Sequence, residues 1–175
     1  MKQHFTRVLK GNIALASAKF PAGTKGMQID ILARLPLWEA GLNYKHGTGH
    51  GVGAYMNVHE GPQSISPMRD TDAPFEPGNT LSNEPGYYVE GEYGIRTETL
   101  ILVTEERVLS RRGTPFLRFE TLTMCPIDAR LVDVKLLTAA ERKWLNDYHR
   151  KVYRTLAPRL GDADRAWLRK ACSAV

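Results

Sequence analysis

The chain has 175 residues, a formal net charge of +5 and a hydrophobic content of 42%. This length and composition suit one ordinary domain with a real core and exclude an intrinsically disordered chain. The lysines and arginines are scattered among acids, with no basic stripe and no interleaved aromatic residues. We therefore expect an ordinary charged surface and no nucleic-acid partner.

The two cysteines, Cys125 and Cys172, lack the spacing of metal ligands and are too few to stabilise a secreted scaffold. They indicate a reducing cytoplasm, and a disulfide between them stays an open alternative. Lys10, Gly11 and Asn12 interrupt the apolar residues near the start of the chain. We therefore expect neither a signal peptide nor a membrane span, but a cytoplasmic protein.

Two helices are predicted first. Apolar residues recur at helical spacing between Phe5 and Phe20, until Pro21 and Gly23 end the pattern. A second helix is predicted from about Met27 to Ala40, and Pro36 either kinks or restarts it. Its expected apolar face consists of Ile31, Leu32, Leu35 and Trp38.

Strands are predicted next, because short β-branched and aromatic runs separated by Gly, Pro and Asn extend from Tyr44 to about Ile127. Thr138 and Glu141 then form a capping-box pattern, which predicts a long helix from about Thr138 to Ala157. A short helix from about Asp162 to Cys172 follows, and we expect Trp167 and Leu168 to pack it. The apolar positions of the long helix are Trp144, Leu145, Tyr148, Val152 and Leu156.

Three of the five histidines, His46, His50 and His59, lie in one stretch, YKHGTGHGVGAYMNVHEGP. The glycines at positions 47, 49, 51 and 53 reduce side-chain bulk and permit close approach of the backbone to a ligand. Isolated histidines are usually hydrogen-bonded surface residues. Three in one glycine-lined stretch instead favour metal binding or proton transfer near neutral pH.

Two glutamates, Glu84 and Glu98, lie symmetrically about Gly91 in NTLSNEPGYYVEGEYGIRTETLILV. A hairpin that turns near Gly91 would place the two carboxylates opposite each other, where they repel unless a positive charge lies between them. That charge could be a metal ion or Arg96. The alternative is a solvent-facing charged hairpin in which Arg96 pairs with one glutamate.

His50, Glu84 and Glu98 together offer one nitrogen and two oxygen ligands, which suit a divalent metal such as manganese or zinc. No thiolate lies nearby in the sequence, which argues against a purely structural zinc site.

Four motifs in order, HGTGHGVG, NVHEGP, NEPGYY and GIRTET, resemble those of aminopeptidase P, also called Xaa-Pro aminopeptidase, of the pita-bread metallopeptidase group. The resemblance continues through RFETLTMCPID and the WLNDYH helix, as in the eukaryotic cytosolic type. It implies an α/β (α+β) fold, a partial pita-bread with a curved antiparallel sheet, helices on its outer face and a helical extension over residues 128–175.

The resemblance also implies a site with two metal ions, commonly manganese, that hydrolyses the bond between a first residue and a following proline. His50 and Glu84 match ligands of one metal, and Glu98 matches a bridging ligand. Glu84 further matches the carboxylate that accepts a proton. His46 and His59 match histidines that bind substrate and transfer protons, and Arg96 matches a residue that orients the ligands.

Two aspartate ligands of the family have no counterpart here, because the acids before His50 are only Asp30 and Glu39, isolated in a predicted helix. We therefore expect residues 1–175 to be the carboxyl-terminal part of a catalytic domain that holds at most one metal and is inactive alone. Its expected partners are a peptide with proline second and either a missing amino-terminal half or a second copy. The alternatives are a noncatalytic pita-bread module for binding or dimerisation and, last, a basic nucleic-acid adaptor.

Overall fold

Helices and short antiparallel strands alternate along the computed structural model, which describes residues 1–68, 73–109 and 113–175. The elements are α1 (Lys2–Ala16), β1 (Lys19–Pro21), α2 (Gly26–Trp38), β2 (Gly49–His50), β3 (Ser64–Ile65), β4 (Thr80–Asn83), β5 (Gly86–Val89), β6 (Tyr93–Arg96), β7 (Thr99–Glu105), β8 (Phe116–Thr121), α3 (Ala139–Leu156) and α4 (Asp162–Ala171). Short 3-10 turns span Ala129–Leu131, Val134–Leu136 and Ala157–Arg159.

The described strands form a four-stranded antiparallel sheet in the order β1, β8, β7, β4 and two smaller ladders, β2 with β3 and β5 with β6. Asn83 pairs with Thr99 in one ladder, and Gly86 pairs with Arg96 in the next. One register therefore continues through both ladders. The predicted hairpin about Gly91 is confirmed, and its turn needs glycine because Gly91 has a φ of +75°.

Helix α1 lies between two parts of the core. Leu15 packs in a cluster with sheet residues such as Leu81 and Ile101. Leu9 and Ile13 instead pack in a cluster with residues of α3 and α4. Helix α3 is thus connected to the sheet through α1, in addition to the direct contacts of Lys151 with Glu120 and Thr121 of β8.

The predicted first helix is too long, since α1 ends at Ala16 and Lys19–Pro21 form strand β1. Phe20 pairs with Leu117 of β8, and its ring packs 5.0 Å from that of Phe119. The helical spacing of apolar residues continues to Phe20 in the sequence, but pairing with a distant strand overrides it.

Helix α2 is confirmed, and it runs through Pro36 without restarting. Its predicted apolar face is only partly correct, because Leu32 is the one member of that face that packs against the core. Ile29, Ala33 and Leu37 are buried. The side that we expected to be buried is instead substantially exposed, at 39% for Ile31, 48% for Leu35 and 47% for Trp38.

Helix α3 begins as predicted, with Thr138 as N-cap and a complete capping box with Glu141. Leu145, Tyr148 and Val152 are buried on its inner face. Helix α4 is also confirmed. Within it Leu168 is buried, whereas Trp167 is 64% exposed and does not pack the helix as we expected.

Cys125 and Cys172 are both free thiols in the structure. Within the described ranges, we find no helix whose length and apolar character would let it cross a bilayer.

Candidate active site

The glycine-rich histidine stretch runs between strands β3 and β4, with very little space around its backbone. Gly49 pairs with Ile65 of β3, and Gly51 bridges to Leu81 of β4. A Cβ on Gly49 would lie 2.0 Å from the Ser82 carbonyl oxygen, and one on Gly51 would lie 1.9 Å from the Glu60 oxygen. The glycines thus permit close approach of neighbouring backbone, and this approach places His50 beside the end of β4.

His50 and Glu84 face each other at that point. The His50 Nε2 atom lies 3.2 Å from Glu84 Oε1, and Glu84 is 8% exposed. The Ser82 hydroxyl donates to the same carboxylate oxygen at 2.9 Å. It also accepts the backbone N–H of His50 at 3.0 Å. Ser82 therefore fixes both partners.

The tautomer of His50 follows from its other contact. Its Nδ1 atom lies 2.9 Å from the Gly51 carbonyl oxygen, which can only accept, so Nδ1 holds the proton. In the neutral ring Nε2 then directs a lone pair at the Glu84 oxygen. Two acceptors in this position require a proton or a cation between them.

Arg96 neutralises Glu84 from the other side, with 3.2 Å between Nη1 and Oε2. Its Nε donates to the Tyr88 hydroxyl at 3.0 Å. Burial opposes the charge of Arg96, but the Tyr88 hydrogen bond and the neighbouring Glu84 and Glu98 charges outweigh burial and raise the pKa of Arg96. Arg96 thus pairs with one glutamate, as one alternative anticipated, although that glutamate is buried and not solvent-facing.

His46 and His59 lie in the same cleft. The His46 Nδ1 donates to the Gly47 carbonyl at 2.7 Å, so its Nε2 accepts from the Tyr88 hydroxyl at 2.9 Å. The His59 ring lies 4.2 Å from the His50 ring, between centroids. The cleft has a volume of about 470 Å³ and is lined by His46, Gly47, Gly49, His50, His59, Ser66, Met68, Glu84 and Arg96.

Glu98 does not join this cluster. The register places it opposite Glu84, but its side chain is exposed and does not line the cleft. Across residues 1–68, 73–109 and 113–175, no group of three His, Cys, Asp or Glu side chains is placed to hold a metal ion. The chemistry of His50 and Glu84 suits a divalent cation, but two ligands do not complete a site.

Sequence reasoning missed two residues that fix the site, Tyr88 and Ser82. Both could have been found from strand alternation, because side chains two residues apart lie on one face. Ser82 is two residues before Glu84. Tyr88 is two residues after Gly86, and Gly86 pairs with Arg96.

A model of metallopeptidase family M24 matches residues 1–105, and a model of the C-terminal region of peptidase M24 matches residues 115–175. The chain belongs to metallopeptidase family M24.

Among its relatives, the chain is 49% identical to a probable Xaa-Pro aminopeptidase P of Laccaria bicolor, over 98% of this chain and 27% of the relative. It is 47% identical to aminopeptidase P1 of Lotus japonicus, over 99% of this chain and 27% of the relative. The chain thus spans about a quarter of the length of these relatives.

The fold is similar to that of the X-prolyl aminopeptidase of Caenorhabditis elegans, described as a cytosolic enzyme with a di-nuclear active site. The TM-score is 0.92 at 43% identity, over 99% of this chain and 29% of the other. The expected mixture of helices and antiparallel sheet in part of a pita-bread fold is thereby confirmed.

Proposed function

We propose that this chain provides one part of the active site of an Xaa-Pro aminopeptidase, which removes an amino-terminal residue that precedes proline. The observation that supports this proposal most is the buried Glu84 carboxylate held against His50 in a histidine-lined cleft. Burial of a charged group is unfavourable unless the group is paired. Buried ionisable groups therefore cluster at functional sites.

The cleft side chains have complementary roles in this proposal. Glu84 accepts a proton from the attacking water, and Ser82 and Arg96 hold its two oxygens in place. His46 and His59 bind the peptide and transfer a proton toward the departing nitrogen. Tyr88 fixes the ring of His46 by hydrogen bonding to its Nε2 atom.

We infer that the metal ligands are shared between this chain and further residues of the parent enzyme. His50 and Glu84 are paired, whereas Glu98 is exposed and would have to turn into the cleft. When bound, metal ions in such a site lower the pKa of water and stabilise developing negative charge. Manganese is our proposed metal and the cytoplasm our proposed location.

The activity test uses a proline-containing tripeptide with added manganese. The chain alone should not hydrolyse it, because the described residues supply an incomplete ligand set. Fusion of the remainder of the Caenorhabditis elegans enzyme ahead of Met1 should restore hydrolysis. Glu84→Ala in the fusion should lower the rate of hydrolysis by a factor on the order of 100 or more, because Glu84 is the proposed general base.

Glu90→Ala is the matched control, since Glu90 is an exposed glutamate of the same hairpin and has no place in the cleft. It should leave hydrolysis unchanged. Full activity of the chain alone, or fused activity that survives Glu84→Ala, would contradict the proposal. A fused protein that binds the peptide without cleaving it would favour the noncatalytic binding module instead.

A further inference from the structure

A buried ion pair lies on helix α2, outside the cleft. Asp30 and Arg34 are only 3% and 5% exposed. Arg34 Nε donates to Asp30 Oδ2 at 2.5 Å, and its Nη2 donates to Oδ1 at 3.2 Å. The cost of desolvating such a pair can exceed its Coulombic gain, so stability alone is a weak reason for it.

The pair also binds the backbone of the segment that enters the cleft. Arg34 Nη1 donates to the Tyr44 carbonyl and Nη2 to the His46 carbonyl, both at 2.8 Å. The Thr48 hydroxyl donates to Asp30 Oδ1 at 2.6 Å. Residues 44–48 belong to no helix and precede strand β2, so Arg34 supplies hydrogen-bond donors for the Tyr44 and His46 carbonyls, which lie outside regular structure.

This segment leads to two cleft residues. His46 lies in its middle, with the ring oriented by Gly47 and Tyr88. At the far end, the Thr48 carbonyl accepts the backbone N–H of Glu84 at 2.8 Å. The ion pair is therefore two hydrogen bonds away from Glu84 and one away from His46.

We propose that Asp30 and Arg34 are positioning residues that hold His46 and Glu84 in the geometry of the cleft. Arg34 can do this because its planar guanidinium donates in several fixed directions at once, which a lysine ammonium cannot reproduce with the same geometry. Asp30 both balances the charge and fixes Thr48. The relevance of this positioning to hydrolysis rests on the proposed function, but the positioning itself does not.

The experiment compares the unmodified chain with Arg34→Lys and Asp30→Asn by nitrogen-15 and proton NMR. The unmodified chain should show His46 as one tautomer, protonated at Nδ1. Both variants should give a mixture of tautomers and a shifted Glu84 amide signal. The matched control is Glu141→Gln, which removes an ion pair of 2.6 Å between Lys10 and Glu141, away from the cleft. It should change neither signal.

Unchanged His46 and Glu84 signals in folded Arg34→Lys and Asp30→Asn would overturn the proposal, as would equal changes in Glu141→Gln. If Asp30→Asn does not fold, Thr48→Ser and Thr48→Val decide the same question. The serine variant keeps the hydroxyl and should keep the Glu84 amide signal. The valine variant loses the hydroxyl and should shift it, and two identical spectra would contradict the link through Asp30.

In the fused enzyme, Arg34→Lys should lower kcat roughly 10- to 100-fold, the effect of misplacing reacting groups, with a smaller change in KM. Glu141→Gln should leave both constants unchanged. A loss of stability with kcat unchanged would assign the pair a purely structural role. If the unmodified fusion shows no hydrolysis, the proposed function fails and the NMR signals still decide the positioning.

Discussion

At the scale of single residues, the contact between His50 Nε2 and Glu84 Oε1 is the most informative polar contact in the cleft. Because Gly51 fixes the proton on Nδ1, a divalent cation could bind where these two atoms face each other. We expect the isolated chain to bind one manganese ion weakly, since Arg96 already competes for Glu84.

Calorimetric titration with manganese tests this expectation. His50→Ala and Glu84→Gln should each remove the binding, whereas Glu90→Gln should preserve it because Glu90 is exposed and does not line the cleft. Equal binding by the unmodified chain and all three variants would place the metal somewhere else.

His149 makes stability depend on pH. Its side chain is completely buried, and its Nε2 accepts the Ile127 N–H at 3.1 Å. Burial lowers the pKa of His149 below its ordinary value of 6.5, although backbone hydrogen bonds oppose this shift. As pH falls below 6.5, the unfolded chain therefore binds a proton before the folded chain does.

The free energy of unfolding should consequently fall as pH decreases from 6.5 toward the lower folded pKa. Urea denaturation at several pH values measures this decrease. The decrease should be smaller in His149→Gln, which cannot titrate, and the difference between the two curves isolates His149 from the other histidines. Parallel curves would refute the assignment.

At the scale of elements, α3 depends on its buried face. Leu145 is fully buried, so Leu145→Ala should lower the free energy of unfolding by roughly 2–5 kcal/mol. Leu35→Ala is the matched control on the exposed face of α2 and should change it by no more than about 0.5 kcal/mol. Chemical denaturation measures both. Similar losses for the two variants would mean that the exposed face of α2 is covered in solution.

Helix α2 shows what periodicity could not provide. Its sequence has two apolar stripes, and spacing alone does not say which one faces the core, so the predicted face contains Ile31 and Leu35, which are exposed. The hairpin around Gly91 could be predicted from the sequence, because symmetry about one glycine fixes the register of both strands.

The sequence also contains Asp30 and Arg34 at helical spacing. Their role could not be predicted, because the carbonyls that Arg34 binds lie in a segment without regular structure.

At the scale of the whole molecule, the charge distribution argues against a nucleic-acid partner. The net charge is +5, but many described lysines and arginines pair with carboxylates, as in the pairs of Lys10 with Glu141 and Lys151 with Glu120. We expect only weak, nonspecific DNA or RNA binding that disappears at physiological salt. Fluorescence anisotropy with labelled oligonucleotides measures it. A tight, sequence-selective complex at that salt concentration would be incompatible with this view.

The glycines that lie against neighbouring backbone restrict how this chain can vary. At Gly26, as at Gly49 and Gly51, an added Cβ would lie within 2.0 Å of a backbone oxygen. Backbone cannot move aside as the end of a flexible side chain can. In a library of all single substitutions, these positions should accept almost nothing, alanine included. Core positions such as Leu81 should accept other aliphatic residues of similar volume. These three glycines are therefore among the positions of the chain that are least open to evolutionary change.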